Sequence, residues 1–255
     1  MAATYQPTQW LIPDNSNTDK LGNYSFQFDG NADVININDP GATIWAYGET
    51  TWSVSFWMNA DAFTDQDGLV CRRVDNNNRV AIKLDYTGVG NDGLMILISD
   101  SGVLAYVEWN NLFTAGTWFH VCVTYDSGTV TTYIDGADQG AADATSGTIP
   151  TSMPNLTGAD IVFGNDAALG GRIYNGKLSE VSIFNYTLTE DNVHTLYGAI
   201  PPATPTNGVG NPMGLDPLPV AYYKGDRAAL GAEWAVANQV SQDYAFDFID
   251  GSSQY

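Results

Sequence analysis

Basic residues are scarce in this chain: nine Lys and Arg stand against 29 Asp and Glu, a formal charge of −20 over 255 residues. That field repels phosphate backbones and anionic lipid headgroups, so nucleic acid and membrane surfaces are poor partners. Long apolar runs are missing too. No stretch approaches the roughly 18 to 20 residues that a membrane-spanning helix needs. The opening Met1-Ala-Ala-Thr-Tyr-Gln-Pro7 has neither the basic nor the apolar region of a secretory leader, so neither membrane insertion nor Sec export of the chain as written is expected. Cysteine is nearly absent. Cys71 and Cys122 both lie in strand-like apolar runs, where buried thiols are expected; a bridge between them is left open, and metal or catalytic chemistry would lack a third partner. The five glutamates, Glu49, Glu108, Glu180, Glu190 and Glu233, are isolated. Glycoside hydrolysis needs two carboxylates facing one sugar, and no acidic strand of alternating residues delivers them here. Serine-hydrolase elbows, paired Cys/His zinc spacings and Gly-rich phosphate loops are also lacking, so no catalysis is expected.

What the chain does have is β structure. Apolar residues make up 44% of it, enough to fill a sizeable core. Strand-length runs recur from Trp52-Ser-Val-Ser-Phe-Trp57 through Leu69–Val74, Val80–Leu84, Leu94–Ile98, Val103–Trp109, Trp118–Tyr125, Val130–Ile134 and Ile161–Gly164 to Lys177–Phe184. Dipeptides such as Ser101-Gly102, Ser127-Gly128 and Asp135-Gly136 separate them and favour tight hairpins, because glycine accepts positive φ. Helical periodicity is almost absent, so an all-β, two-sheet antiparallel sandwich is predicted. One short helix is predicted to close it, with Thr189 as N-cap, Glu190 and Asp191 in its first turn and a stop at Gly198. Residues 199–219 hold six prolines and three glycines and read as a linker, either extended or lying along the sandwich. The chain then restarts: Trp10 with Tyr24-Ser-Phe-Gln-Phe-Asp-Gly30 returns as Trp234 with Tyr244-Ala-Phe-Asp-Phe-Ile-Asp-Gly251. Three units follow from this: a sandwich over 1–198, a linker over 199–219, and the first strand region of a second, incomplete copy over 220–255. The orphan strand either begins a longer tandem protein or pairs with another domain or subunit.

Five ordered segments carry a resemblance: Phe26-Gln-Phe-Asp-Gly30 leading to Val34-Ile-Asn-Ile37; Trp52–Met58; Gly116-Thr-Trp-Phe-His-Val-Cys-Val-Thr-Tyr-Asp126; Thr132-Tyr-Ile-Asp-Gly136; and Tyr174–Phe184 with Tyr186–Val193. Their order resembles the concanavalin A-like lectin/glucanase superfamily, and within it the laminin-G-like jelly-roll modules. These serve as sugar binders, adhesion domains and spacers alike. The resemblance implies a jelly-roll sandwich with one Ca²⁺ at a rim between the first strand's turn and the last strand. Carried over, that site falls on Asp29, Gly30, Ser179 and Glu180, with Ser-Glu where the family more often has Asp-Glu. The resemblance also places Trp52, Trp57, Trp118 and Phe184 in the core.

Trp45, Tyr47, Trp109 and Tyr174 lie nearer strand ends or turns, where a ring can lie flat on the C–H face of a sugar, so these four are the candidate ligand residues. His120 and His194 have no neighbouring partner that would make them a base or a metal ligand. Arg72-Arg73 is the one basic pair, and on a strand its two side chains diverge. The expected function is a non-catalytic carbohydrate-binding or adhesion module in a virion or another extracellular structural assembly. Its expected partners are a glycan or neighbouring structural subunits, copies of itself among them. The alternatives are a decoration module without sugar binding and a fragment of a cell-surface adhesin.

Overall fold

The computed structural model describes residues 25–31, 33–39, 42–64, 66–85, 91–166, 172–198, 210, 212–223 and 246–249. Trp10, Trp234, the opening heptapeptide and most of the 199–219 segment lie outside them. The described strands form two antiparallel sheets. The first runs β1 (Phe26–Asp29), β13 (Asn175–Phe184), β3 (Thr51–Ala60), β8 (Phe119–Asp126), β9 (Thr129–Ile134), β10 (Ala137–Asp138), with β14 (Ala221–Tyr223) also on β13. The second runs β11 (Ala144–Ser146), β7 (Val103–Trp109), β6 (Leu94–Asp100), β5 (Arg79–Leu84), β4 (Gly68–Arg73), β12 (Ile161–Phe163), β2 (Val34–Ile37), β15 (Phe246–Ile249). The all-β sandwich expected from the sequence is therefore present.

Alternation decides what each strand buries. Trp52, Val54, Phe56 and Met58 of β3 and Val121, Val123 and Tyr125 of β8 meet Val80, Ile82, Leu94, Ile96 and Ile98 of the second sheet in one core. The turn dipeptides fit their expected geometry. Asp126 pairs with Thr129 across Ser127-Gly128, whose φ values of 48° and 94° are those a two-residue hairpin of matching twist requires. The helix α1 (Glu190–Tyr197) also forms where predicted. Thr189 accepts from the Asn192 amide, and Gly198 ends the helix at φ 83°. The helix seals the outer face of the seven-stranded sheet, where Val193 and Leu196 pack with Cys122, Phe184, Leu188 and Leu215. Trp57 and His120 lie under Tyr197 on the same side, each with a ring centroid 5.8 Å from it. His120 is buried there against Ser55, 2.8 Å from its hydroxyl. Burial drives its pKa down to about 3, so it is a neutral packing residue. Cys71 and Cys122 are both free and buried, one in each sheet.

The boundary expected at residue 220 moves. Ala221–Tyr223 pairs with Val181–Ile183 of β13 and is buried, so this short apolar run completes the first sandwich. Strand β13 thus has two partners along one edge, β1 up to Leu178 and β14 from Val181, with a register shift between Ser179 and Ser182. Described parts of the linker lie on the sandwich: Leu215 is buried, the Gly210 amide donates to Leu196, and the Tyr186 hydroxyl donates to the Pro217 carbonyl at 2.5 Å. The repeated Phe-Asp-Phe-Ile motif forms β15 and adds to the edge strand β2 of the same chain.

One polar group lies deep in this core. Arg72 points inward and is fully buried. Its guanidinium donates to the Asp39 carboxylate (2.6 Å) and to the carbonyls of Asp39 (2.6 Å), Ile44 (2.6 Å) and Ala159 (2.7 Å). Asp39 in turn accepts from the Thr43 amide and hydroxyl and from the Ile44 amide. Removing one partner of such a pair strands the other charge in a low-dielectric interior. Arg72→Ala is expected to cost about 3 to 5 kcal/mol in urea denaturation, whereas Lys177→Ala, which breaks the exposed pair with Asp61, should cost less than about 1 kcal/mol.

Candidate functional site

The rings proposed as a ligand platform divide sharply. Tyr47 is 73% exposed at a loop tip, but Trp45, Trp109 and Tyr174 are buried in the core. Each correction has a cause. Trp45 adopts φ 53°, and the adjoining Ile44 carbonyl is held by Arg72, so its ring turns inward onto Trp52 at 5.3 Å. Trp109 shares the inward parity of Ala105 and Val107 on β7, and its indole N–H donates to the Gly140 carbonyl at 3.1 Å. Tyr174 packs on Phe28 at 6.0 Å, with its hydroxyl directed to the Lys177 carbonyl.

The four positions carried over for Ca²⁺ do not converge. Asp29 pairs with Asn175, while Phe26 at the other end of β1 pairs with Leu178. Glu180 lies beyond that point, about 16 Å along β13 at 3.3 Å per residue. Asp29 accepts from the Asn31 amide within its own turn, and Gly30 sits against Asn175. Ser179 and Glu180 are buried at the register shift, and Glu180 accepts from the Tyr222 hydroxyl. These residues do not fit one cation. Among the described residues no group of three His, Cys, Asp or Glu could hold a metal.

A different cluster emerges on the outer face of the eight-stranded sheet. Three rows cross it in register: Arg73, Arg79, Ser99, Leu104; then Cys71, Ala81, Leu97, Tyr106; then Lys83, Met95, Glu108. Arg72 and Arg73 diverge as alternation demands, but Arg73 then finds Arg79 directly across the β4–β5 pair. Asp166 anchors the cluster. It accepts from the Arg73 guanidinium through both oxygens, at 3.0 and 3.1 Å, and from the Lys83 ammonium. Burial alone would push this carboxyl up; Lys83 and Arg73 outweigh that and hold it below the usual carboxylate range. Gly68 makes the approach possible, since a Cβ there would sit 2.4 Å from the Asn165 carbonyl carbon and 2.5 Å from the Asp166 nitrogen. Arg172 returns along the same segment, its carbonyl accepting from the Gly68 amide and its guanidinium donating to Gln66. At the other end of the face, the Asn110 amide, oriented to donate, reaches Asp85 at 3.0 Å and Glu108 at 3.2 Å, and Asp85 also accepts from the Gly93 amide. Both acids are buried.

Sequence reasoning missed this cluster because it examined adjacent basic residues. The available signal was periodic: Arg79, Ala81 and Lys83 share one strand face, and a short turn brings Arg73 beside them.

A family model described as the concanavalin A-like lectin/glucanases superfamily matches residues 13–194. Among solved structures, a Bacteroides ovatus protein of inferred carbohydrate binding aligns over 79% of this chain and 51% of its own at 17% identity and TM-score 0.54, so the match spans about half of that protein. Domain 4 of an extracellular arabinanase from Geobacillus stearothermophilus, solved with arabinotriose, aligns over 66% of this chain and 74% of its own at 19% identity and TM-score 0.51. The binding domain of Paraclostridial Mosquitocidal Protein 1 aligns over 71% and 47% at 17% identity and TM-score 0.51. At such identities the likeness is one of fold.

The Tyr47 loop also carries a titrating group. The Glu49 carboxylate accepts from the Ala46 amide, and the loop is tied to Met153 through the Gly48 amide (3.1 Å) and the Glu49 carbonyl (2.8 Å). Burial pushes Glu49 up to about 7 against that hydrogen bond's opposing pull. The folded protein therefore holds a proton that the unfolded chain releases near pH 4.5, and stability falls as pH rises through 7. Urea denaturation at pH 5 and pH 8 should show wild type losing stability relative to Glu49→Gln; equal changes in the two proteins would contradict this.

Proposed function

The chain belongs to the concanavalin A-like lectin/glucanase superfamily, and from that premise we propose that it is a non-catalytic carbohydrate-binding module, displayed on a virion or another extracellular structural assembly. The observation that carries this reading is the contrast between the two outer sheet faces. The helix closes the seven-stranded sheet, and every described strand lies in one of the two sheets. On the outer face of the eight-stranded sheet, Arg79 and Tyr106 stay half-buried beside the buried Ser99 and Asp166. The half-buried Arg79 and Tyr106, next to apolar neighbours, suit a sugar, which presents hydroxyls at its edges and C–H groups on its faces. The arabinotriose-bound relative supports the sugar class by analogy of fold alone.

The non-catalytic part rests on Asp85 and Glu108, the acids that approach each other on this face. One amide engages both, Asp85 takes a backbone N–H as well, and both are buried. Glycoside hydrolysis needs one such acid to protonate a leaving oxygen and the other to meet the sugar or a water.

A second reading, self-assembly without sugar binding, draws on β15: its addition to the edge of β2 is the kind of pairing by which an edge strand recruits another chain.

Binding to a panel of oligosaccharides that includes arabinotriose separates these readings. Micromolar to millimolar binding is expected, weakened about tenfold by Tyr106→Ala, which removes a ring from the face, and unchanged by EDTA. Loss with Tyr47→Ala in its place would move the ligand to the rim. Absence of all sugar binding together with concentration-dependent oligomers in sedimentation would favour assembly.

A further inference from the structure

Four of the nine Lys and Arg in the whole chain, Arg73, Arg79, Lys83 and Arg172, meet on one sheet face. Arg73 and Arg79 are direct cross-strand neighbours. Like charges in that position, with Cβ atoms about 5 Å apart, repel each other and weaken the sheet. Asp166 answers Arg73 and Lys83. Arg172 donates to the neutral Gln66. The Arg79 side chain makes no hydrogen bond or ion pair among the described residues, and its Nε is buried without a partner. Burial and the Arg73 charge push its pKa down, with Arg172 adding to them, and Asp166 opposes them only through space; an arginine stays protonated, so its positive charge remains, and Asp166, already paired with Arg73 and Lys83, makes no ion pair with it.

We infer that this end of the face, centred on Arg79 with Arg172 and Arg73 beside it, holds the oxyanion of an acidic glycan, a carboxylate or a sulfate ester. The inference rests on the carbohydrate-binding reading and names its ligand class. A planar guanidinium offers two parallel N–H donors to such a group. The anion would relieve the Arg73–Arg79 repulsion and satisfy donors that the protein leaves unmet. The overall charge of −20 does not forbid this, because at physiological ionic strength charges more than about 8 Å away are largely screened. The same net charge repels polyanions elsewhere on the molecule, which confines an acidic ligand to the one place where cations are in excess.

Calorimetry on the full chain tests the assignment with three acidic probes, 3′-sialyllactose, tri-galacturonate and a sulfated chondroitin disaccharide, against lactose, the tri-galacturonate methyl ester and the unsulfated disaccharide. At least one acidic probe should bind about 10- to 100-fold more tightly than its neutral counterpart, the range expected for a charge-assisted hydrogen-bond pair. Arg79→Gln should erase that difference, Arg79→Lys should keep part of it, and Lys177→Gln, at the exposed pair with Asp61, should leave it unchanged. Arg79→Gln removes the Arg73 repulsion and no ion pair, so it should melt at or above the wild-type temperature, which a thermal scan verifies. Equal binding of acidic and neutral probes, insensitive to Arg79→Gln, overturns the anion assignment and leaves the carbohydrate reading standing. Binding of no probe overturns both. Thermal stabilisation by sodium sulfate alone, dependent on Arg79 but without glycan binding, makes this a free-anion site and overturns the glycan assignment.

Discussion

A single buried charge organises one end of this sandwich. Arg72 points into the core because strand alternation leaves it no other direction, and a guanidinium there needs partners. Asp39 and three backbone carbonyls take its two terminal nitrogens. In doing so they draw Asp39, Ile44 and the chain before β12 onto the sheet, turn Trp45 inward as a plug on Trp52, and leave Tyr47 at the loop tip. Arg73, the next residue, points outward by the same parity and begins the cationic cluster around Asp166. Core closure and the chemistry of the outer face thus follow from adjacent positions on β4.

The two sheets are finished differently. The seven-stranded sheet is covered by α1, whose caps are local and complete, and its β13 edge is shared between β1 and β14. The switch between those partners falls where Glu180 adopts φ 54° and accepts from Tyr222. The acid that the family resemblance offered as a calcium ligand therefore acts in a strand junction. The eight-stranded sheet has no helix over it among the described residues, and its outer side chains form an apolar strip of Cys71, Ala81, Met95 and Leu97 with charged groups at both ends. That strip is itself buried, so the functional reading rests on the half-buried Arg79 and Tyr106 beside it.

Much of the fold was legible in the residues themselves. Period-two patterns in β3, β5, β6 and β8, Ser-Gly and Asp-Gly turns, and the Thr189 and Gly198 caps are local signals, and local signals survive folding. Strand β14 was not legible: Ala221-Tyr-Tyr223 is too short to show alternation and follows a proline-rich run that read as a boundary. The site was legible only in part. Whether an aromatic at a strand end faces in or out depends on parity and on tethers from distant residues, so Trp45, Trp109 and Tyr174 looked the same as Tyr47. Asp29 and Glu180 shared a rim only by carry-over from the family resemblance, and the Phe26–Leu178 register reveals which end each occupies. The cation cluster joins residues from β4, β5 and the segment after β12, and no linear motif records such a meeting.

The central claim is that ligand recognition belongs to the outer face of the eight-stranded sheet. Chemical-shift mapping of isotope-labelled protein titrated with an acidic oligosaccharide measures this directly. The account requires the Arg79 side-chain Nε–H and the backbone amides of β4 to β7 to move together in a saturable titration. Shifts confined to the Tyr47 loop or to α1, with Arg79 unmoved, would contradict it.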